Sequence, residues 1–395
     1  MATLFTFEDT SAQAARIKVI GVGGGGGNAL NNMISQKLRG VEFIVANTDA
    51  QAIERNHADS KLQLGADITR GLGAGANPQV GREAAEAEKD RLSEFMQNTD
   101  MVFITAGMGG GTGTGAAPVI AEVARDMGVL TVAVVTKPFG FEGKRRMRQA
   151  DAGIAELRKY VDTLITIPNQ KLIGAVGKNT SMLEAFRKAD DVLLQAVRGI
   201  AELITHTGYM NVDFADVKAV MSETRGVAMM GSGFASGDSR AIEAAERAIS
   251  SPLLEDIDIH GAQGILVNVT GNEDMTLAEY DEAVSIIHNM ADEDANIICG
   301  MVYDQDADDS IRVTVVATGL SGEAALSLAS VDREPVSTPR MPTLKPVVAA
   351  EVQNFQTKQP STRTGQQQMQ PQAFDQPGFN DDEYAVPTFL RRQAD

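Results

Sequence analysis

Gly107-Met-Gly-Gly-Gly-Thr-Gly-Thr-Gly115 follows the apolar run Met101–Ala106 and precedes the helical pattern Ala116–Asp126. A strand that runs into glycines and then into a helix is an arrangement for holding phosphate. Glycine lets the backbone approach an anion closely, and the helix N-terminus offers free N–H groups and a positive dipole end. The same order occurs earlier. Arg16-Ile-Lys-Val-Ile20 reads as a strand, Gly21-Val-Gly-Gly-Gly-Gly-Gly-Asn28 as the loop, and Asn28 to Lys37 as the helix. That first loop contains a formal G-x-G-x-x-G (Gly21, Gly23, Gly26), a weak signal alone. A tight turn with close helix–strand packing accounts for it equally well. Two such loops in one sheet say more, because they can face one phosphate chain from two sides. Simple turns do not need the glycine density of the second loop, and Thr112 and Thr114 add hydroxyl donors. Gly71-Leu-Gly-Ala-Gly75 reads as a third loop on the phosphate side. Together the stretches 21–27, 71–75 and 107–115 hold 15 of the 38 glycines.

Outward from these loops, strands and helices alternate. Val41–Asn47, Leu130–Thr136 and Thr163–Ile167 read as strands. Ala116–Asp126 and Lys144–Tyr160 read as helices, and Asn77-Pro78 opens a long helical stretch to about Gln97, with Pro at the first helical position. Such alternation predicts a parallel sheet covered on both faces, an α/β, Rossmann-like domain over 16–181. Met182 to His206 carries the longest helical pattern. Ser181 and Glu184 form a capping box at its start. Met182, Phe186, Ala189, Leu193, Val197, Ile200 and Ile204 mark a core stripe, and further leucines lie off it. A helix apolar on most faces is a buried one, so 182–207 is expected to be a long central helix. A smaller α/β C-terminal domain is expected over 208–320. It comprises a short helix after Asn211–Asp216, an apolar stretch Ala228–Met230, helices Ser239–Ile249 and Thr276–Met290, and strands Gly264–Thr270, Ile297–Tyr303 and Ile311–Ala317. Residues 1–15 read as a flexible N-terminus. Residues 321–380 carry seven of the thirteen prolines and nine glutamines, a disordered-linker composition that builds no core. The terminal peptide Asp381–Asp395 regains Tyr384, Val386, Phe389 and Leu390.

Composition removes several function classes. The 395 residues carry a net charge of -18. An acidic chain without a basic block does not bind nucleic acid non-specifically. The lone Cys299 forbids an internal disulfide and, with four histidines, the common zinc sites. No apolar run approaches the ~20 residues of a membrane span, and the acidic start lacks the apolar core of a secretory signal. A cytoplasmic protein without direct membrane insertion is expected.

No G-x-x-x-x-G-K-[ST] occurs, so the loops are not a P-loop. Phosphates would be held by backbone N–H groups without a loop lysine, and bound Mg²⁺ would offset their charge. A nicotinamide-binding unit has one such loop and an acidic residue closing the second strand; here that strand ends Ala46-Asn47-Thr48-Asp49. An oxidoreductase reading leaves the second loop unexplained.

Gly107–Gly115 resembles the signature motif of the tubulin/FtsZ family of GTPases. GVGGGGGNA, NTDAQA, GLGAGANP, KPFGFEGKRR and NVDFAD occur with it in order across about 16–320, and the terminal peptide resembles the family's as well. The resemblance implies a GTP-binding domain at 16–181 and a head-to-tail homopolymer that forms the bacterial division ring at midcell. It also implies membrane-attached adaptor proteins as partners of Asp381–Asp395. GTP or GDP would be bound by Gly24, Gly25, Gly26, Gly27 and Asn28, and by Gly111, Thr112 and Gly113. Glu142 and Arg146 would lie near ribose and phosphates, and Asn169, Phe186 and Asp190 would hold guanine. Guanine presents adjacent N1–H and N2–H donors that one carboxylate accepts together. On spacing alone, Asp190 is equally a solvated helix carboxylate, and Glu142 with Arg146 an i,i+4 surface pair. Val220–Gly231 is one residue longer, near Thr224-Arg225, than the family pattern implies.

The resemblance further makes Asp213 and Asp216, aided by Asn211, the carboxylates that polarise the attacking water. As an isolated signal, Asp at a helix start is usually a cap. On that reading the chain is a non-catalytic nucleotide-binding scaffold. Reach adds an argument. Asp190 lies near the start of the central helix, and sixteen residues on, at 1.5 Å each, its far end is ~24 Å away. Asp213 is then expected to serve the nucleotide of a neighbouring subunit, a heterologous contact that builds filaments.

Overall fold

The computed structural model describes residues 15–176, 180–205, 212–222, 226–254, 261–305 and 307–320. Asn211, Thr224 and Arg225, the linker 321–380 and the terminal peptide 381–395 lie outside the described residues.

Ten strands form one sheet. They are β1 (Ile17–Val22), β2 (Val41–Asn47), β3 (Ser60–Gln63), β4 (Met101–Gly107), β5 (Leu130–Lys137), β6 (Thr163–Pro168), β7 (Gly226–Ser236), β8 (Gly264–Gly271), β9 (Asn296–Tyr303) and β10 (Ser310–Thr318). The spatial order is β3-β2-β1-β4-β5-β6-β7-β10-β8-β9. Neighbours from β3 through β6 are all parallel. β6 joins β7 in parallel from Thr163↔Gly226 to Ile165↔Ala228. β10 runs antiparallel to β7 and β8, and β8 is parallel to β9. The first half has the parallel order of a Rossmann-like domain. Its central strands are buried along nearly their whole length, as apolar runs such as Met101–Ala106 require.

Twelve helices are described. On the first half lie α1 (Gly23–Ser35), α2 (Ala50–Glu54), α3 (Ala66–Thr69), α4 (Pro78–Glu86), α5 (Lys89–Met96), α6 (Thr112–Asp126), α7 (Lys144–Leu157) and α8 (Asn169–Val176). α9 (Met182–Thr205) spans 24 residues, about 36 Å at 1.5 Å per residue. α10 (Phe214–Ser222), α11 (Arg240–Ile249) and α12 (Leu277–His288) follow. One apolar cluster packs α1 and α9 with Val19, Phe103, Val132 and Ile165. A second packs α4 to α7 against Ile20, Ile104, Val102 and Val135, the alternate strand positions. A third joins α11 and α12 to β7, β8 and β10.

Four expectations change. The long helix after Pro78 is two helices, α4 and α5, broken at Ala87-Glu88 without Gly or Pro. Lys89 Nζ, 2.6 Å from Glu122 Oε2, ties α5 onto α6, so tertiary contact overrides helix propensity there. α1 begins at Gly23 rather than Asn28, so the glycines themselves form its first turns. The apolar stretch Ala228–Met230 belongs to an eleven-residue strand. Gly231 and Gly233 hide it, because α11 lies directly on the backbone: a Cβ at either would sit 1.9 Å from Ala248 O or Ala244 O. The core stripe of α9 starts at Ala189, since Met182, Leu183 and Phe186 are exposed. The Ser181–Glu184 capping box is formed: Glu184 N donates to Ser181 Oγ (3.2 Å) and Ser181 N to Glu184 Oε2 (2.9 Å).

Candidate functional site

The C-terminal ends of β1, β4, β5 and β6 lie side by side in the sheet. Both glycine loops leave from this end and pack backbone to backbone. A Cβ at Gly25 would lie 3.1 Å from Gly107 Cα, and one at Gly23 (φ +71) 2.9 Å from Gly113 N. Part of the glycine excess therefore serves packing. A Cβ at Gly115 would lie 1.9 Å from Pro78 O, and one at Gly81 2.4 Å from Gly111 O, so α4 and α6 cross at backbone distance. Gly26 and Gly27 are buried; a Cβ at Gly26 would meet Thr105 O at 2.4 Å, whereas Gly24 is open.

The threonine hydroxyls also brace the loops. Thr114 Oγ1 accepts from Gly109 N (2.8 Å), and Thr112 Oγ1 pairs with Thr48 Oγ1 (2.6 Å). The loop Gly71–Gly75 joins this group. Gly73 N donates to Thr48 O (3.3 Å) and Ala50 N to Gly71 O (3.1 Å). Backbone N–H groups at the start of α1 and α6 can hold an anion.

Beside the loops is a cavity of about 200 Å³. It brings together Gly25, Asn28, Glu142, Arg146, Asn169, Phe186 and Asp190, seven of the residues singled out in the sequence. Gly24, Gly26, Gly27, Gly111, Thr112 and Gly113 are not in its lining. Gly107, Met108, Thr136, Pro138, Ala189 and Leu193 complete the wall. Gly107 and Met108 open the second glycine loop, and Ala189 and Leu193 belong to the α9 stripe, but sequence reasoning did not assign any of the six to the site; their signal is position at strand ends β4 and β5, or one turn from Phe186 and Asp190 on α9.

Among the described residues, two acceptors in the cavity lack donors. Asn169 is buried at the end of β6, and its Oδ1 has no hydrogen-bond partner among them. Burial, and then the neighbouring Asp191 charge, push the Asp190 carboxyl up to about 7. Phe186 meets Phe139 edge-on at 5.2 Å between ring centroids, and Phe139 stacks on Phe141 at 5.1 Å. Phe139 is a residue the sequence reading missed as part of the site. Glu142 is fully engaged: Oε1 accepts from Phe139 N (2.8 Å) and Oε2 lies 3.0 Å from Arg146 Nη1. The i,i+4 pair thus exists and also walls the cavity.

Asp213 and Asp216 lie elsewhere, both exposed. Asp213 O accepts from Asp216 N (3.0 Å) and Val217 N (3.2 Å), which puts Asp213 at the start of α10. Val212 sits beside Leu203: both would meet a Cβ at Gly300. Leu203 is thirteen residues beyond Asp190 on α9, about 20 Å away. Thr163 Oγ1, at the first residue of β6, donates to Met221 O of α10 (2.5 Å), while Asn169 follows the last residue. α10 and the cavity therefore occupy opposite ends of β6.

A larger cleft, of about 1130 Å³, lies between the end of α1 and β9–β10, with Arg198, Glu202 and Arg312 on its walls. Neither glycine loop reaches it, so size does not decide which cavity is the candidate site. Among the described residues no helix is long and apolar enough to cross a membrane.

Residues 16–177 match the GTPase domain of the tubulin/FtsZ family, and residues 226–321 the C-terminal domain of the FtsZ family. The cell division protein FtsZ of Azotobacter vinelandii is 51% identical over 410 residues, covering 99% of this chain and 100% of that protein. That of Coxiella burnetii is 58% identical over 321 residues, covering 81% and 83%. An FtsZ dimer from M. jannaschii is 47% identical, with TM-score 0.75, over 78% of this chain and 89% of that one. A CetZ2 protofilament from Haloferax volcanii, 18% identical with TM-score 0.66, shares the fold. By its paired glycine loops, its strand order and these matches, the chain belongs to the tubulin/FtsZ family of GTPases, within the FtsZ branch.

Proposed function

We propose that the chain binds GTP in the cavity beside the glycine loops, assembles head to tail, and hydrolyses GTP in trans. The observation that carries this reading is the separation of the cavity from the exposed Asp213 and Asp216 by the length of β6 and about 20 Å of α9. No single subunit holds both halves of the reaction. Stacked subunits do, because a contact between opposite ends repeats without closing.

In the bound state, N–H groups at the starts of α1 and α6 hold the phosphates, around Gly24–Asn28 and Gly111–Gly113. The Asp190 carboxylate accepts guanine N1–H and N2–H together, a donor pair adenine lacks. Asn169 Oδ1 takes a further base or ribose donor, and Phe186 covers the base. Arg146 and Glu142 bound the ribose and phosphate side. Asp213 and Asp216 of the next subunit polarise the attacking water, aided by Asn211. Phosphoryl transfer is mainly positioning and charge stabilisation, so aimed carboxylates suffice without a covalent nucleophile.

Mg²⁺ belongs to this reading as the ion that the nucleotide brings. The phosphates would supply its donors, and it would offset their charge.

The biological role that fits is bacterial cell division, with filaments in the cytoplasm at the midcell division site. Asp381–Asp395 serves as a docking peptide for membrane-attached adaptors, and 321–380 as its tether. The test is phosphate release from GTP measured together with light scattering against protein concentration. Specific activity should appear only above the concentration at which scattering begins. Activity per molecule that stays constant down to the lowest concentrations would contradict catalysis in trans.

A further inference from the structure

A nucleotide has a fixed distance between base and phosphates. A site that holds its two ends on two different helices must keep those helices in register. Here the phosphate end belongs to α1, which begins inside the first glycine loop, and the base end to α9, which carries Phe186 and Asp190. The two helices run in the same direction away from the cavity. Contacts join α9 to α1 and to the segment that follows α1 at three levels. Asn32 Nδ2 donates to Asp191 Oδ1 (2.9 Å). Arg198 Nη2 donates to Gln36 O (2.8 Å). A Cβ at Gly40 would lie 2.7 Å from Thr205 Cβ.

The first of these contacts adjoins the cavity. Asn32 is one helical turn beyond Asn28, and Asp191 is the residue after Asp190. Both Asn28 and Asp190 line the cavity. Successive side chains on a helix point about 100° apart, so Asp190 faces the cavity while Asp191 faces α1. The Asn32–Asp191 bond is partly buried, is made to a carboxylate, and joins residues 159 apart in the chain. Such charge-assisted bonds are the stronger class. At this level the polar bond joins the two helices beside their apolar packing.

We propose that Asn32 and Asp191 are positioning residues for the nucleotide site. Their side-chain bond sets the register of α9 against α1, and with it the span between the guanine acceptor and the phosphate loop. This rests on the reading of Asp190 as the guanine acceptor.

The test compares binding of GDP, which engages both ends, with binding of inorganic pyrophosphate, which engages only one. Asn32→Ala should weaken GDP binding by about tenfold, the loss of one hydrogen bond's worth of alignment, and leave pyrophosphate binding as in the parent. The exchange Asn32→Asp with Asp191→Asn reverses donor and acceptor and should restore GDP binding. Thermal melts of each variant report folding separately. Unchanged GDP binding in Asn32→Ala would overturn the proposal, and so would an equal loss of GDP and pyrophosphate binding. Failure of the exchange to restore binding in a folded protein would overturn it as well. If Asp190→Asn keeps full guanine preference, the reading of the base site has failed instead, whatever Asn32 does.

Discussion

At the residue scale, the site is held together by groups that have no second choice. Asp190 sits where burial keeps its carboxyl protonated up to about pH 7. A carboxyl whose folded pKa is raised contributes stability below its unfolded value, near 3.8, and loses that contribution as pH rises through about 7. Guanine reverses the preference, because its N–H donors need the carboxylate. GDP affinity, normalised to Asp190→Asn so that phosphate titration cancels, should therefore fall below about pH 7, at most ~tenfold per unit. Titration calorimetry between acid and neutral pH measures it, and a flat profile would remove Asp190 from the base site. At neutral pH the same variant should lose about 1.5–3 kcal/mol of GTP binding and much of its discrimination against ATP. The glycines divide by what surrounds them. Gly115→Ala would push a Cβ to 1.9 Å from Pro78 O, whereas at Gly24 nothing lies within 4 Å. The first should cost ~3 kcal/mol or more, the second under ~0.5 kcal/mol. Thermal melts distinguish them, and equal melting temperatures would show that the α4–α6 crossing yields to an added methyl.

At the element scale, polar ties hold elements of the second half together. The buried Arg240 guanidinium joins α11 to α12 and to the turn before β10: Nε lies 2.6 Å from Glu279 Oε1, and Nη1 2.6 Å from Asp309 Oδ1. Glu279 also caps α12 through Thr276. Arg240, and to a lesser degree that cap, hold the Glu279 carboxyl down to about 2. A depressed carboxyl contributes stability above its unfolded value, near 4.5, and loses it as pH falls through about 2. Arg240→Ala should cost about 1.5–3 kcal/mol at neutral pH, because it removes the cation that holds the half-buried Glu279 carboxylate, and should flatten acid unfolding in that window. Denaturant titrations at neutral and acid pH check both, and an unchanged acid profile would assign the transition to other carboxylates. Much of this architecture was legible in the sequence. The parallel half was readable because its strands are continuous apolar runs ending in glycine, and α9 because its Ser181–Glu184 cap and long apolar pattern are local signals. The break between α4 and α5 was not, since only the Lys89–Glu122 tie marks it. Nor was β7, whose Gly231 and Gly233 answer to α11 rather than to strand propensity. In the cavity, residues such as Asp190 and Asn169 were legible through the family resemblance and line the cavity as it implied. Phe139 and the Thr48–Thr112 pair were not, because their roles are contacts between distant segments.

At the scale of the whole molecule, the cavity and the proposed catalytic carboxylates lie towards opposite ends of β6. Assembly then becomes part of the active site. The tail enters only as the tether proposed above. Deleting Asp381–Asp395 should leave GTP hydrolysis and assembly in solution within about twofold of the parent, while many weak tails no longer combine to hold filaments on adaptor-bearing membranes. Sedimentation with and without such vesicles measures this, and loss of polymerisation itself would place the peptide in the folded body. The measurement that bears most directly on the central claim is complementation. Asp213→Ala keeps a nucleotide site but lacks the carboxylate it lends; Asp190→Ala lends the carboxylate but binds GTP poorly. Each alone should be nearly inactive. Mixed in equal amounts, they should recover up to about a quarter of parental phosphate release, the share of random head-to-tail contacts that pair one good half with the other. A mixture no more active than its two components would contradict hydrolysis across the subunit contact.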